Sequence, residues 1–492
     1  MSNESASPAA KQCPLSWPDQ RWNLILFALC TGMQYLAAPV LYVGITQASL
    51  CNRLGADART SNLPGTLYFA MTAMPAVIAW MSPRVSALRR NLGLCYSACA
   101  LMLLTLAITL SLPVPSAVKL GMVILQGAVS GAVMPAAIAM LWEVIGRGSD
   151  ESRRGLALSL AFGAGPILAV LGSLGQTALL GGDLFGWHFD GLEYPRSFIV
   201  LFGAGAPVMG LAAVLSQFFV ITPEEHEPVR EPISAVTGLI FGVPLMFASV
   251  TLMHFADTAI WMQVLGGLCA AGTTGCFIFH FRSILQQRLL LLATLVTVLV
   301  YAGNVIPSNM NLYSEQVLGN IPEKYAGIQN MLRFGFKVVA GSLLGWMLMK
   351  TSPRAGILAT SLTFLTAMIW AMLVSGPWYL VAFGLHGAGE LVGVYAPNYI
   401  VSASRSDQMR RNMAFVTMLM VPAAPAGYLY GAIVDAVKRS GTTLMGMNSE
   451  TLGYRLSFAA CAVFILAGIV LAVCALPARP RPEEVQTAPQ GE

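Results

Sequence analysis

Four ionisable residues stand inside apolar stretches long enough to cross a bilayer. Arg333 and Lys337 are four apart, and so are His386 and Glu390. That spacing puts each pair on one face of a helix. Charge at membrane depth is expensive and marks function by default. Two cations, a carboxylate and an imidazole are the groups that hold an anion and pass a proton. Arg333 and Lys337 are therefore expected to bind substrate, and Glu390 with His386 to take up and release a proton. The competing explanation is an ion-pair network that only fixes helix packing. A lone histidine can also simply satisfy a polar neighbour.

A second group surrounds two helix-interrupting prolines. Gln34 and Tyr35 precede Pro39; Asn304 precedes Pro307, and Ser308, Asn309 and Asn311 follow it. Interrupted membrane helices free backbone groups for ligands near the midplane. Gln34, Asn304 and Asn309 are accordingly expected to touch substrate, the alternative being hydrogen bonds between neighbouring helices. Arg84 and Arg354 in short loops, and Glu143 four before Arg147, are expected to gate one end, with Asp150 as a further partner there. Tyr68, Trp142, Trp346 and Tyr395 are weaker cavity candidates, because aromatic residues on membrane helices mostly pack or sit at interfaces. The pairs Gly127/Gly131, Gly341/Gly345 and Gly389/Gly393 are explained by close helix packing.

The elements that position these residues follow from composition. The chain has 492 residues, 56% hydrophobic and 10% charged, where a soluble domain carries about 25% charged residues. Apolar runs of about 20 residues recur along its length. The reading is fourteen membrane helices, including 154–181, 233–253, 257–280, 378–403 and 411–435. The net charge of +5 is no nucleic-acid signal, since the basic residues sit in short inter-helix loops. With the N-terminus inside, eighteen of the twenty-eight Lys and Arg residues fall on the inner side and eight on the outer. Only Arg333 and Lys337 remain within a helix. The bias places both termini in the cytoplasm, and residues 1–20 lack the layout of a cleavable signal peptide. Nine cysteines lie mostly in apolar runs and imply neither a disulfide framework nor a metal site. Soluble-enzyme motifs such as His-Glu-x-x-His and Gly-x-Ser-x-Gly are absent, so neither an enzyme nor a cofactor is expected.

One hydrophobic pattern occurs twice. Met81-Ser82-Pro83-Arg84 returns as Thr351-Ser352-Pro353-Arg354, and Ser149-Asp150-x-x-Arg153-Arg154 as Ser406-Asp407-x-x-Arg410-Arg411. Pro39, Gly127, Pro135, Pro166 and Gly172 find Pro307, Gly387, Pro397, Pro425 and Gly431. The offsets stay between 257 and 270 residues, in constant order. Duplicated membrane units are the signature of secondary transporters. The expected fold is an all-α membrane protein of two pseudo-symmetric six-helix bundles plus an inserted two-helix hairpin. A cytoplasmic segment (1–20) precedes the first bundle (21–222). An acidic hinge with the inserted hairpin (223–287), the second bundle (288–477) and a disordered tail (478–492) follow.

The six-plus-six repeat and the loops at 81–90 and 349–358 resemble the major facilitator superfamily over nearly the whole chain. Ala79-Trp80-Met81-Ser82-Pro83-Arg84 stands where the family has Gly-x-x-x-Asp-Arg, and the second copy keeps Gly345 and Lys350. Gln126-Gly127 resembles the end of the fourth-helix motif, with Val123 in place of its arginine. Gly163-Ala164-Gly165-Pro166 resembles part of the fifth-helix antiporter motif. Fourteen helices also occur in the drug–proton antiporter and peptide–proton symporter branches, but the first helix here lacks the latter's acidic motif. The resemblance implies that the second and fourth helices of each half border a central cavity, bringing Arg333, Lys337, His386 and Glu390 to one space. It implies a secondary active transporter in the cell membrane, working by alternating access. The expected substrate is a small organic anion or zwitterion, moved with protons by a monomer. The rival readings are a proton-driven exporter of amphipathic compounds and a non-transporting receptor or assembly factor that keeps the fold.

Overall fold

The computed structural model describes residues 15–42, 44–149, 161, 164–184, 187–221, 236–254, 260–403, 415, 418–444 and 446–480. Outside them fall Asp150, the paired motifs Arg153-Arg154 and Ser406-Asp407-x-x-Arg410-Arg411, Gly163, the acidic hinge at 223–231, Cys13, and most of both terminal segments.

The first half contains Trp17–Leu36, Ala38–Leu41 and Ile45–Arg53 as one interrupted span, then Ala58–Met81, Val85–Ser111, Ser116–Gly148, Gly165–Leu180 and Arg196–Phe218. The second contains Arg288–Leu318, Glu323–Lys350, Pro353–Leu373, the broken pair Val381–Gly389 and Val392–Ser402, Pro425–Ser440 and Ser449–Ala475. Among the described residues, nine helices are long and apolar enough to cross a membrane. Among the described residues, this multi-pass membrane protein is helical apart from one short antiparallel pair of strands, Gly182–Leu184 with Trp187–Phe189.

Both expected proline breaks are present. Pro39 opens the four-residue helix Ala38–Leu41. The chain turns at Gly44 with φ 154°, a region that favours glycine. The Gln47 side chain then accepts from the Gly44 N–H at 3.2 Å and starts the next helix. In the second half, a 3₁₀ turn at Ala302–Val305 leads into Pro307–Leu318, where proline costs no hydrogen bond. The span at 378–403 departs from expectation, because it divides at Glu390 and Leu391.

Within each half, the second and fourth helices touch through glycine. A Cβ at Gly131 would overlap the Tyr68 backbone, and one at Gly387 would overlap the Arg333 backbone. The repeat matches Gly127 with Gly387, and a Cβ at Gly127 would overlap the Pro64 backbone, so Pro64 is the spatial counterpart of Arg333. Gly387→Val is expected to lower the stability of the purified protein by about 1–3 kcal/mol through overpacking, read as an earlier thermal transition.

Between halves, Gly165–Leu180 packs on Glu323–Lys350, and Ala58–Ala70 on Pro425–Ser440. The inserted helices Thr237–His254 and Ile260–Leu285 pack mainly on each other. The Tyr428 hydroxyl donates to the Met253 carbonyl at 2.9 Å and ties them to the second half. Val250 packs with Leu63, Leu67 and Ala128 of the first. Val264, Leu268 and Phe279 are 60–63% exposed on the outward face. The pair therefore lies outside the two bundles.

Candidate functional site

Arg333 and Lys337 lie on the Glu323–Lys350 helix, and His386 and Glu390 at the division of the facing span. The four meet. Arg333 Nε donates to Glu390 Oε1 at 2.7 Å, and its Nη2 lies 2.5 Å from the same oxygen. Lys337 Nζ bonds the other oxygen, Oε2. Both carboxylate oxygens are thus occupied by cations. His386 Nε2 is 2.9 Å from the Gly303 carbonyl. A carbonyl only accepts, so Nε2 carries a proton. His386 Nδ1 then points at Glu390 Oε1 from 3.5 Å, a contact that becomes a hydrogen bond if the ring takes a second proton.

Arg333 is 7% exposed, and its Nη1 is buried without a hydrogen-bond partner; His386 Nδ1 and Asn304 Oδ1 are likewise unpartnered. Buried donors normally find partners, and an orphan arginine nitrogen points to an acceptor from outside the chain. With the imidazole neutral, the cluster carries two positive charges and one negative. The first half has no such charge in the matching places: with Gly127 matched to Gly387, Pro64 corresponds to Arg333, Tyr68 to Lys337, and Ser130 to Glu390.

The other sequence candidates are distributed as follows. Asn304 sits in the 3₁₀ turn beside Gly303 and so borders the cluster. Gln34 is 2% exposed, donates to the Tyr96 hydroxyl at 2.5 Å, and lines a cavity of about 80 Å³ with Phe27, Thr31, Tyr35, Tyr42 and Trp142. Asn309 lies elsewhere. Its Oδ1 accepts from Asn62 at 2.6 Å and its Nδ2 donates to Ser457 at 3.0 Å, which occupies both ends of the amide within the protein. Glu143 pairs with Arg147 of its own helix at 2.8 Å, 41% exposed. Arg354 donates to the Leu476 carbonyl at 2.7 Å within its own half, and Arg84 is exposed. In this conformation the three gating candidates make no described bond across the halves.

The bonds that do cross the halves form a seam at the opposite end, and sequence reading missed most of it. Ser49 donates to Asn311 at 2.8 Å and Asn330 to Gln176 at 2.9 Å. The Asp435 carboxylate accepts from the Ala58 and Arg59 backbone N–H groups at 3.1 and 2.8 Å, capping a helix of the other half. Arg53 and Glu323 approach to 3.9 Å. Away from the seam the cavity extends between Trp17–Leu36 and Ser116–Gly148, and Val339, Leu343 and Trp346 are 56–62% exposed. One end is sealed by polar bonds between the halves, and the other holds an open cavity reaching Tyr42.

No protein-family model matches the chain, and no curated protein sequence matches it. Solved structures do. A variant of the nucleoside transporter NupG aligns over 92% of this chain and 99% of its own, with a TM-score of 0.61 at 9% identity. A peptide transporter POT in complex with sulfate aligns over 92% and 94%, with 0.62 at 15% identity. An auto-inhibited POT family peptide transporter aligns over 94% and 99%, with 0.61 at 13% identity. At such identities the agreement is one of shape along nearly the full length of each chain. Together with the paired bundles and their apolar helices, it makes this chain a multi-pass membrane protein with the major facilitator fold.

Proposed function

We propose that this protein is a secondary active transporter working by alternating access, in which proton uptake at Glu390 and His386 is coupled to a small organic anion or zwitterion held by Arg333 and Lys337. The observation that carries the reading is the excess of buried positive charge, with one Arg333 nitrogen left open. Transport by the similarly folded nucleoside and peptide transporters supports it.

The coupling follows from competition. Unprotonated, Glu390 occupies both cations. A proton on its carboxylate weakens those bonds and releases Arg333 and Lys337 to an incoming anion, so proton and anion favour each other's binding. The sealed seam and the open cavity correspond to one of the two access states. By the asymmetry of basic residues the open end faces the cytoplasm. A reporter fused after residue 255 should accordingly signal from outside; an inside signal would leave twelve spans.

The test is a ligand-stabilisation screen of the purified protein across metabolite classes at two pH values. Anions should stabilise it more at the lower pH, by up to about tenfold in affinity per pH unit for one linked proton. Neutral compounds that stabilise equally at both values would overturn the reading.

A further inference from the structure

The charged wall of the site belongs wholly to the second half. The lining of the cavity belongs to the first half and is aromatic and neutral. Phe27 and Trp142 meet edge to face, with ring centroids 5.1 Å apart. Tyr35 and Tyr42 follow at 6.2 Å, and Tyr42 is 6.2 Å from Phe334, the residue next to Arg333. Arg333 and Lys337 both lie over the Phe334 ring, at 5.6 and 5.2 Å. Tyr35, Tyr42 and Phe334 therefore form a line of rings from the cavity to the cations. The cavity there measures about 80 Å³. Within it the Thr31 hydroxyl is buried without a hydrogen-bond partner.

We infer that the substrate is an aromatic monoanion: its carboxylate takes the free Arg333 nitrogen, its ring lies along Tyr42, Tyr35 and Trp142, and a polar ring substituent reaches Thr31. This rests on the anion-binding reading above and adds the nature of the substrate's body. The division of labour follows from the asymmetry of the repeat. The second half supplies charge, and the first supplies flat aromatic surface with the hydroxyls of Thr31, Tyr35 and Tyr42. Aromatic walls favour a flat ring over a chain of equal size, because offset and edge contacts add to the area buried.

The test is titration calorimetry on the full-length purified protein with acetate, benzoate, 4-hydroxybenzoate and phenol. Benzoate should bind about tenfold to a hundredfold tighter than acetate, the range for burying one ring. 4-Hydroxybenzoate should bind tighter than benzoate, and phenol, lacking the anion, should give no binding heat. Trp142→Leu, or Phe27→Leu as a second variant, should shrink the benzoate-to-acetate ratio. Thr31→Val should remove only the advantage of the hydroxyl. A ratio near one in the unaltered protein overturns the inference without need of any variant. If acetate binding is then still lost in Arg333→Gln, the anion site stands and only the aromatic body falls. If no anion binds at all, both readings fall.

Discussion

Glu390→Gln is expected to abolish proton-driven accumulation while exchange between two substrate-loaded compartments survives. The carboxylate is the shared partner of Arg333 and Lys337, and an amide can neither compete with a substrate anion for them nor carry the proton. Losing one partner of a buried pair costs about 3–5 kcal/mol, so the empty variant should melt early and recover on binding an anion. Arg333→Ala and Lys337→Ala should instead weaken anion binding itself. One charge-assisted hydrogen bond is worth about 1.5–3 kcal/mol, or roughly tenfold to a hundredfold in Kd. Uptake and counterflow in proteoliposomes with an imposed pH gradient separate these outcomes. If all three variants accumulate substrate like the parent, the site lies elsewhere, with Gln34 and Asn304 next in line.

The second large effect is expected at the sealed end. Asp435→Ala removes the acceptor that caps Ala58 and Arg59 from the other half. A helix cap contributes about 0.5–2 kcal/mol, and this one is made only while the two halves are closed there. Its loss should shift the conformational balance toward opening at that end by about twofold to thirtyfold. Spin labels at Asn52 and Asn320 report it as a growing long-distance component. Asn62→Ala, which breaks the bond to Asn309, should act in the same direction. Unchanged distance distributions in both variants would show that the seam does not set the balance. Glu143→Gln removes an exposed pair within one helix. In the conformation described it should cost only a few tenths of a kcal/mol, with any larger effect confined to transport rate.

The parts of the molecule legible in the sequence are those encoded locally. Apolar length announces the spans, Pro39 and Pro307 mark the breaks, and spacing by four aligns Arg333 with Lys337 and His386 with Glu390. The meeting of those two faces needed the resemblance to a known fold as well. The seam was invisible because its partners are far apart in the chain: Asn62 and Asn309 are separated by 247 residues, and Ala58 and Asp435 by 377. A buried asparagine reads the same from sequence whether it awaits a substrate or another asparagine, and Asn309, expected to touch substrate, instead bonds Asn62 and Ser457. Trp142 and Tyr68 stood out only as aromatic residues on helices. Tyr42, Phe27 and Thr31 gained meaning once the cavity brought them together. The strand pair Gly182–Leu184 and Trp187–Phe189 went unread, since three-residue strands carry too little alternation to register.

The most direct test is to count protons. Adding the anion selected by the stabilisation screen to weakly buffered purified protein should raise the pH, with close to one proton taken up for each anion bound. Glu390→Gln should bind the anion and take up none. Binding by the unaltered protein without proton uptake, or equal uptake by the two proteins, would contradict the coupling of Glu390 to the cations that hold the substrate.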